Sequence, residues 1–331
     1  MRIATFNVES LDLPVEARLP VLRPALERLE ADILCLQEVN GQRVQGQRGR
    51  VLTALDAVLA GTRYEHYQRV ATSANDREGV ADVHNLVILS RYPILAHRQV
   101  LHELVPPVPV QPITADPLPS EPLAIRFERP ILHATVETPL GPLHVLNVHL
   151  RAPIASPIAG QKAGPFTWKS VRGWAEGYYH SGLKRIAQAL ELRLVVDRIL
   201  DEDEGARVLL TGDFNAELNE TPLRLIAGVP EDTGNATLAG RSMVVLDRAV
   251  DASRRYSVVH HGRPQMLDHM LVSHALLASY RGIEVHNEAL GDEAVGWASR
   301  VAAAGSYHAA VVATFALPAA PASEPGPARE T

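Results

Sequence analysis

One cysteine, Cys35, stands in a chain of 331 residues. A lone cysteine excludes an intrachain disulfide and any zinc cluster built on thiolates. No run of 18 apolar residues occurs, so a membrane-spanning helix is not expected. The first residues lack a charged segment followed by an apolar stretch. No secretory signal is read there, and a cytoplasmic location is the default. Positive charge is not in excess either, because the formal net charge is -6. The chain therefore lacks the broad cationic footprint of a tight nucleic-acid binder. That leaves room for an enzyme that holds its substrate through a metal and a local basic patch. No cysteine motif and no GxSxG elbow supplies a covalent nucleophile. No internal repeat of solenoid period is visible.

What is present is ordinary for a globular chain, with 46% hydrophobic and 21% charged residues. Short β-rich runs at residues 3–8, 32–39, 86–89, 131–136, 143–150, 207–211, 266–272 and 309–316 alternate with helical periodicity at 17–29, 51–59 and 183–200. Proline-rich 104–122 reads as an ordered loop or flap. Residues 151–177, with Gly, Pro, Trp168 and Trp174, read as a long loop insertion. Residues 318–331, rich in Pro, Ala and Glu, are expected to be a disordered tail. No polar linker cuts the middle. The expectation is one α/β domain over 1–317, with two packed sheets and helices outside.

The polar residues concentrate at strand ends. Asn7 and Glu9 follow the first strand, Gln37 and Glu38 the second. Asn147 and His149 close the strand at 143–150, and Asp213 and Asn215 the one at 207–211. Asp268 and His269 lie on the next, and Tyr307 and His308 precede the last. Polar groups beside buried strands are costly unless they are paired or bind something. Several carboxylates without matching lysines suit a hard, oxygen-seeking cation such as Mg²⁺ or Mn²⁺. The amides, Asp and His then complete a set able to polarise a phosphoryl oxygen, orient water and hold developing charge.

Six segments, Thr5-Phe6-Asn7-Val8, Leu36-Gln37-Glu38-Val39, Asn147-Val148-His149-Leu150, Gly212-Asp213-Phe214-Asn215-Ala216, Leu267-Asp268-His269-Met270-Leu271-Val272-Ser273 and Ser306-Tyr307-His308, come in an order that resembles the endonuclease/exonuclease/phosphatase superfamily. The resemblance implies a DNase I-like four-layered sandwich of two mixed β-sheets flanked by helices. It also implies a metal-dependent phosphoric ester hydrolase. By position, Glu38 would be the principal metal ligand, helped by Asn7 and by Glu9. Asp213 would orient or deprotonate the attacking water, and Asn215 would position water or phosphate. His149 and His308 would donate to phosphate oxygens, and Asp268 would fix His308 in its protonated form. Asn147, Tyr307 and Arg185 would contact substrate.

One position departs from the pattern. Families of this kind usually place Asp directly before the final histidine, where this chain has Tyr307. A neutral phenol is a poor Mg²⁺ ligand, so one tightly bound Mg²⁺ or Mn²⁺ is expected rather than two. Taken singly, each residue also has an ordinary reading: Glu38 as a surface acid, His149 as a satisfied core histidine, Asp213 as turn chemistry. Their joint order is what makes the pattern specific. His269 should point away from the site, because strand side chains alternate and Asp268 points inward. Lys169, Arg172, Lys184 and Arg185 form a basic cluster that either grips phosphate or is simply solvated.

Three functions compete. The first is nuclease-like hydrolysis of a phosphodiester, possible nucleic-acid substrates finding stacking surfaces on the two tryptophans. The second is hydrolysis of a small phosphoester or phospholipid headgroup. The third is a non-catalytic binding module, supported by Tyr307 alone. No partner protein is implied.

Overall fold

The computed structural model describes residues 1–74, 78–299 and 305–318. The expected tail from 319 onward lies outside the described residues. Two six-stranded mixed sheets carry the fold. The first contains β1 (Arg2–Leu11), β2 (Ile33–Val39), β3 (Gln68–Ala71), β4 (Asn85–Ser90), β11 (Tyr280–Val285) and β12 (Val311–Phe315), in spatial order β11-β12-β1-β2-β4-β3. The second contains β5 (Ile94–Val100), β6 (Ile131–Thr138), β7 (Gly141–His149), β8 (Arg207–Asp213), β9 (Val244–Val245) and β10 (Asp268–Val272), in order β9-β10-β8-β7-β6-β5.

Central strands are buried on both faces, so they read as continuous apolar runs rather than alternating ones. Their odd and even residues enter different cores. Ile3, Ile33, Cys35 and Ile88 meet Ala134, Val145, Leu209 and Met270 between the sheets. Ala4, Phe6, Leu34 and Leu36 turn outward against Leu22, Leu26 and Leu29 of α1 (Leu19–Leu29) and Leu55 and Val58 of α2 (Thr53–Leu59). Leu146, Val148, Val208 and Leu210 turn the other way onto Leu192, Val195 and Ile199 of α3 (Val171–Glu202) and Leu223 and Ile226 of α4 (Thr221–Ala227). Helices, sheet, sheet and helices make the expected four layers. Each fully buried Leu or Ile contributes about 1.5–3 kcal/mol of transfer free energy.

α3 is longer than the sequence periodicity indicates. It begins at Val171, capped by the Ser170 hydroxyl, which accepts from the Gly173 N–H at 3.1 Å. The last seven residues of the expected loop insertion, 171–177, are therefore helix. Its glycines, which read as loop signals, serve close packing: a Cβ at Gly177 would overlap the Ser156 carbonyl oxygen. Two buried carboxylates on α3 tie down the proline-rich segment. Glu191 accepts from the His102, Leu104 and Val105 N–H groups at 2.9–3.3 Å. Glu176 accepts from the Ile113 and Thr114 N–H groups at 2.6 and 2.7 Å. The 104–122 segment is thus an ordered, anchored loop, whose residues 108–110 pair antiparallel with 123–125. Strands 68–71, 94–100 and 280–285 and helix 221–227 were not expected from periodicity. They are short or half-exposed edge elements.

Candidate active site

Each sheet has one parallel pair at its centre, β1 with β2 and β7 with β8. The registers place Asn7 beside Gln37, His149 beside Asp213, and Asp213 opposite Asp268. Packing one sheet on the other brings these ends together.

Asp213 is the hub. Its Oδ2 lies 3.1 Å from Asn7 Nδ2, 3.2 Å from Asn215 Nδ2, 3.2 Å from His149 Nε2 and 4.0 Å from His308 Nε2. Its Oδ1 accepts from the Asn215 N–H at 2.8 Å. This turn demands Gly212, which has φ +136, because a Cβ there would overlap the Val148 carbonyl. Burial pushes the Asp213 carboxyl up, but His149, His308 and the Asn215 amide override it and hold it far below the ordinary range. Asp213 is therefore an ionised acceptor at neutral pH.

His308 is set by its two neighbours. Its Nδ1 lies 2.7 Å from Asp268 Oδ2, and Ser257 Oγ accepts from the Asp268 N–H at 3.0 Å. Burial lowers the His308 pKa, but Asp268, Asp213 and Glu38 outweigh it and raise the value to about 10. The Ser306 hydroxyl donates to the Asn7 carbonyl at 2.7 Å and accepts from the His308 N–H at 3.0 Å, which stitches β1 to the loop before β12.

Glu38 faces Asp213 across the cleft. Its Oε2 accepts from Ser10 N and Oγ at 2.9 and 3.2 Å. Among the described residues, its Oε1 has only Asn7 Nδ2 at 3.5 Å and His149 Nε2 at 3.7 Å. That oxygen thus keeps lone pairs free, and the donor chemistry fits a divalent cation held by Glu38. The site backbone is strained: Glu9, Ser10, Glu38, His84 and Asn215 all have φ between 46° and 60°. Non-glycine residues seldom adopt this conformation, and such outliers concentrate at functional sites.

Several expected roles change. Asn7 turns its amide nitrogen, not its oxygen, to the carboxylates, because Oδ1 already accepts from the Glu9 N–H at 2.9 Å. Its Nδ2 bridges the Asp213 and Glu38 carboxylates as a donor. Glu9 Oε2 accepts from the Tyr307 N–H at 2.9 Å, and burial raises its pKa. The Tyr307 ring packs on Gly291 and Gly296, so its phenol does not occupy the place of an acidic ligand. Asn147 is fully buried and touches no cleft. Its Nδ2 donates to the Leu36 and Val87 carbonyls at 3.0 Å, and its Oδ1 accepts from Gln37 Nε2 at 2.7 Å. It is a polar clamp between the sheets, not a substrate contact. Arg185 donates to the Asn215 carbonyl from behind and lies 3.8 Å from Glu220, so it positions the 212–216 turn. His269 does point away, with Nδ1 2.9 Å from buried Asp247 and Nε2 2.8 Å from the Ala216 carbonyl. The basic cluster is dispersed: Lys184 pairs with Glu128, and Lys169 donates to the Gly160 carbonyl at 2.9 Å. Trp168 lies under Lys162, whereas Trp174 is exposed and stacked on Tyr178.

Sequence reasoning missed three groups. His84 lies just before β4, with Nδ1 3.9 Å from Glu38 Oε2. Burial and Arg129 push its pKa down to about 4. Arg129 donates to the Leu150 carbonyl at 3.1 Å. Arg18 braces the end of β1 through the Val8, Glu9 and Gly305 carbonyls. The signal for His84 lies in strand pairing rather than in its own sequence neighbourhood. β4 runs antiparallel to β2, so the start of β4 sits beside the functional end of β2.

The match to the endonuclease/exonuclease/phosphatase family model spans residues 4–308. The chain belongs to that family. No curated protein matches the sequence. Among solved structures, truncated TDP2 from Caenorhabditis elegans is similar at TM-score 0.56 and 16% identity, over 95% of this chain and 96% of that one. The 3'-5' exonuclease NExo from Neisseria meningitidis matches at TM-score 0.53 and 18% identity, over 95% and 99%. An AP endonuclease from Archaeoglobus fulgidus matches at TM-score 0.52 and 15% identity, over 95% and 99%. At these identities the likeness speaks for the fold. The family assignment makes the chain a phosphoesterase of the metal-dependent class. No helix among the described residues is long and apolar enough to cross a membrane.

Proposed function

We propose that the protein hydrolyses a phosphodiester of the nuclease-substrate type by direct in-line attack of water. The observation that carries this is the crowding of four donors from four separate segments, Asn7, His149, Asn215 and His308, within 3.1–4.0 Å of one carboxylate oxygen of Asp213. Glu38 would hold one divalent cation, and that ion would supply Lewis-acid polarisation of a phosphoryl oxygen when bound.

Asp213, kept ionised, accepts a hydrogen bond from water and takes its proton as the new P–O bond forms. Asn215 and Asn7 fix the direction of that carboxylate. His149 and protonated His308 donate to the non-bridging oxygens as negative charge builds, while the ester P–O bond opposite the water breaks. Asp268 keeps the proton on His308. Oriented charge of this kind, rather than covalent chemistry, supplies the rate.

The test is hydrolysis of a generic phosphodiester and of DNA and RNA oligonucleotides, with and without added Mg²⁺ or Mn²⁺. Glu38→Ala and Asp213→Ala are expected to lower turnover by about 10² to 10⁴-fold with folding retained. Both variants remaining fully active in metal-replete buffer would refute the reading. Steep weakening of oligonucleotide binding with salt would favour nucleic acid over a small phosphoester.

A further inference from the structure

We propose that Arg129 and Arg151 form an anion subsite beside the reaction space, and that it takes a second phosphate of the substrate, next to the one that is cleaved. The inference deepens the hydrolase reading and rests on it for where the scissile phosphate lies.

The fold brings the two arginines together. β6 runs antiparallel to β7 with Leu132 opposite Asn147, so the residues just before β6 lie at the end of β7 that carries His149. There Arg129 Nη1 donates to the Leu150 carbonyl at 3.1 Å, and Asn215 Nδ2 donates to the same oxygen at 3.0 Å. The two nitrogens are therefore at most about 6.1 Å apart. Asn215 Nδ2 in turn lies 3.2 Å from Asp213 Oδ2. Arg151 follows Leu150 directly. Its backbone N–H donates to Gln188 Oε1 at 2.8 Å, and Gln188 Nε2 donates to the Arg129 carbonyl at 3.1 Å. Gln188 is buried on α3, so one amide pins both arginine backbones.

The second observation is a want of negative charge around them. Neither guanidinium forms an ion pair among the described residues, and Arg151 Nε is buried there without a hydrogen-bond partner. Glu128, next to Arg129 in sequence, is taken by Lys184. A buried donor without a partner carries a free-energy cost, and arginine cannot escape it by losing its proton. Burial lowers the Arg129 pKa, Glu38 and Asp213 act against that, and Arg151 adds to it. The two cations thus repel each other within the field of the catalytic carboxylates.

Those carboxylates do not answer for both arginines. Asp268 and protonated His308, 2.7 Å apart, form a pair without net charge. One divalent ion held by Glu38 would balance Glu38 and Asp213. A scissile phosphodiester then brings a single negative charge against two guanidinium groups. A second phosphate supplies the charge that is left to match. Guanidinium suits that partner, because its fixed fork of N–H groups meets two phosphate oxygens at once.

The experiment gives the full chain three substrates at fixed ionic strength in metal-replete buffer: a dinucleoside monophosphate, the same molecule with a terminal phosphate at either end, and a trinucleotide. KM is expected to fall by about tenfold or more when the second phosphate is present, as charge-assisted hydrogen bonds allow. A fall confined to the terminal phosphate names an end group, and one shared by the trinucleotide names a flanking diester; both support the proposal. Arg129→Gln and Arg151→Gln should each shrink the gain, and together reduce it to less than about threefold. Arg151 Nε has no hydrogen bond to lose, so Arg151→Gln alone carries the test where Arg129→Gln disturbs the Leu150 carbonyl. No gain from the second phosphate in the unmodified protein overturns the proposal, and that reading needs no variant to fold. A gain that survives both substitutions overturns it too, even if KM rises equally for all three substrates. If no phosphodiester is cleaved, calorimetric titration with the same molecules reads the preference. A preference there that Arg151→Gln weakens leaves the subsite standing and removes the hydrolase reading.

Discussion

His308 is held between two carboxylates of different kinds. Nδ1 lies 2.7 Å from Asp268 Oδ2, and Nε2 lies 4.0 Å from Asp213 Oδ2. The first fixes the ring and its proton. The second is the candidate water-orienting group, so Nε2 faces the reaction space.

This arrangement predicts a pH dependence with a definite sign. The His308 pKa rises from 6.5 to about 10 on folding. A raised base stabilises the fold fully below its unfolded pKa and loses that contribution as pH climbs through the folded one. Urea midpoints should therefore fall as pH rises from about 6.5 to 10, a window in which the unfolded chain has released the proton that folded His308 still holds. Asp268→Asn should move the His308 titration down toward 6.5 and bring the alkaline limb of turnover with it. The measurement is a pH–rate profile together with the imidazole NMR titration. An alkaline limb unmoved by Asp268→Asn would show that Asp268 does not set the His308 proton.

Asn147 gives a stability prediction instead of a catalytic one. Replacing it by Ala removes the donors to Leu36 and Val87 and the acceptor for Gln37, all buried. Each buried group left unsatisfied costs about 1–3 kcal/mol. Asn147→Ala should lower unfolding free energy by about 3 kcal/mol or more in urea titrations, while KM at a permissive temperature stays near its original value. A large KM change with unaltered stability would return Asn147 to the substrate site.

What the sequence made legible follows from chemistry carried by neighbouring residues. Asn7, Glu38, His149, Asp213, Asp268 and His308 each end or begin a buried strand, and burial beside a polar side chain is visible without coordinates. Side-chain direction was not. Asn7 and Asn147 have the same amide and the same strand-end signature, yet one faces the cleft and the other the space between sheets. Register decides this, and register depends on the partner strand. His84 escaped because its signal lies at the start of a strand, where only the antiparallel pairing with β2 makes it matter. The first turns of α3 escaped because glycines at 173 and 177 read as loop. Their purpose is close approach to Gln161 and Ser156, which are distant in sequence.

Gly177 therefore tests a sign. Gly→Ala inside a helix ordinarily stabilises by about 1 kcal/mol. Here the added methyl would overlap the Ser156 carbonyl, which itself follows a Ser156 N–H bond to the Gly177 carbonyl at 2.8 Å. Gly177→Ala should destabilise, and amide exchange should quicken around residues 155–161 first. Stabilisation by this substitution would mean that the segment is not packed on α3.

Asn7→Asp examines the electrostatics of the centre with almost no change of shape. Asn7 Nδ2 now donates to Asp213 Oδ2 at 3.1 Å and approaches Glu38 Oε1 at 3.5 Å. Aspartate would replace that donor by an oxygen facing two carboxylates. Like charges in one site raise at least one carboxyl pKa above its unfolded value. A raised acid binds its proton more tightly in the folded state, so the fold loses stability as pH rises through that pKa. Asn7→Asp should melt lower at pH 7 than at pH 5, whereas the unaltered protein, whose Asp213 carboxyl is held far below its ordinary value, gains stability from that group once pH exceeds the unfolded range. A saturating divalent cation should restore part of the loss at pH 7 by neutralising the added charge. Turnover should fall by about tenfold or more, because the amide no longer directs the Asp213 carboxylate. Thermal melts at the two pH values, with and without the cation, decide the matter; a variant that melts equally at both would show that Asn7 does not stand between the two acids in solution.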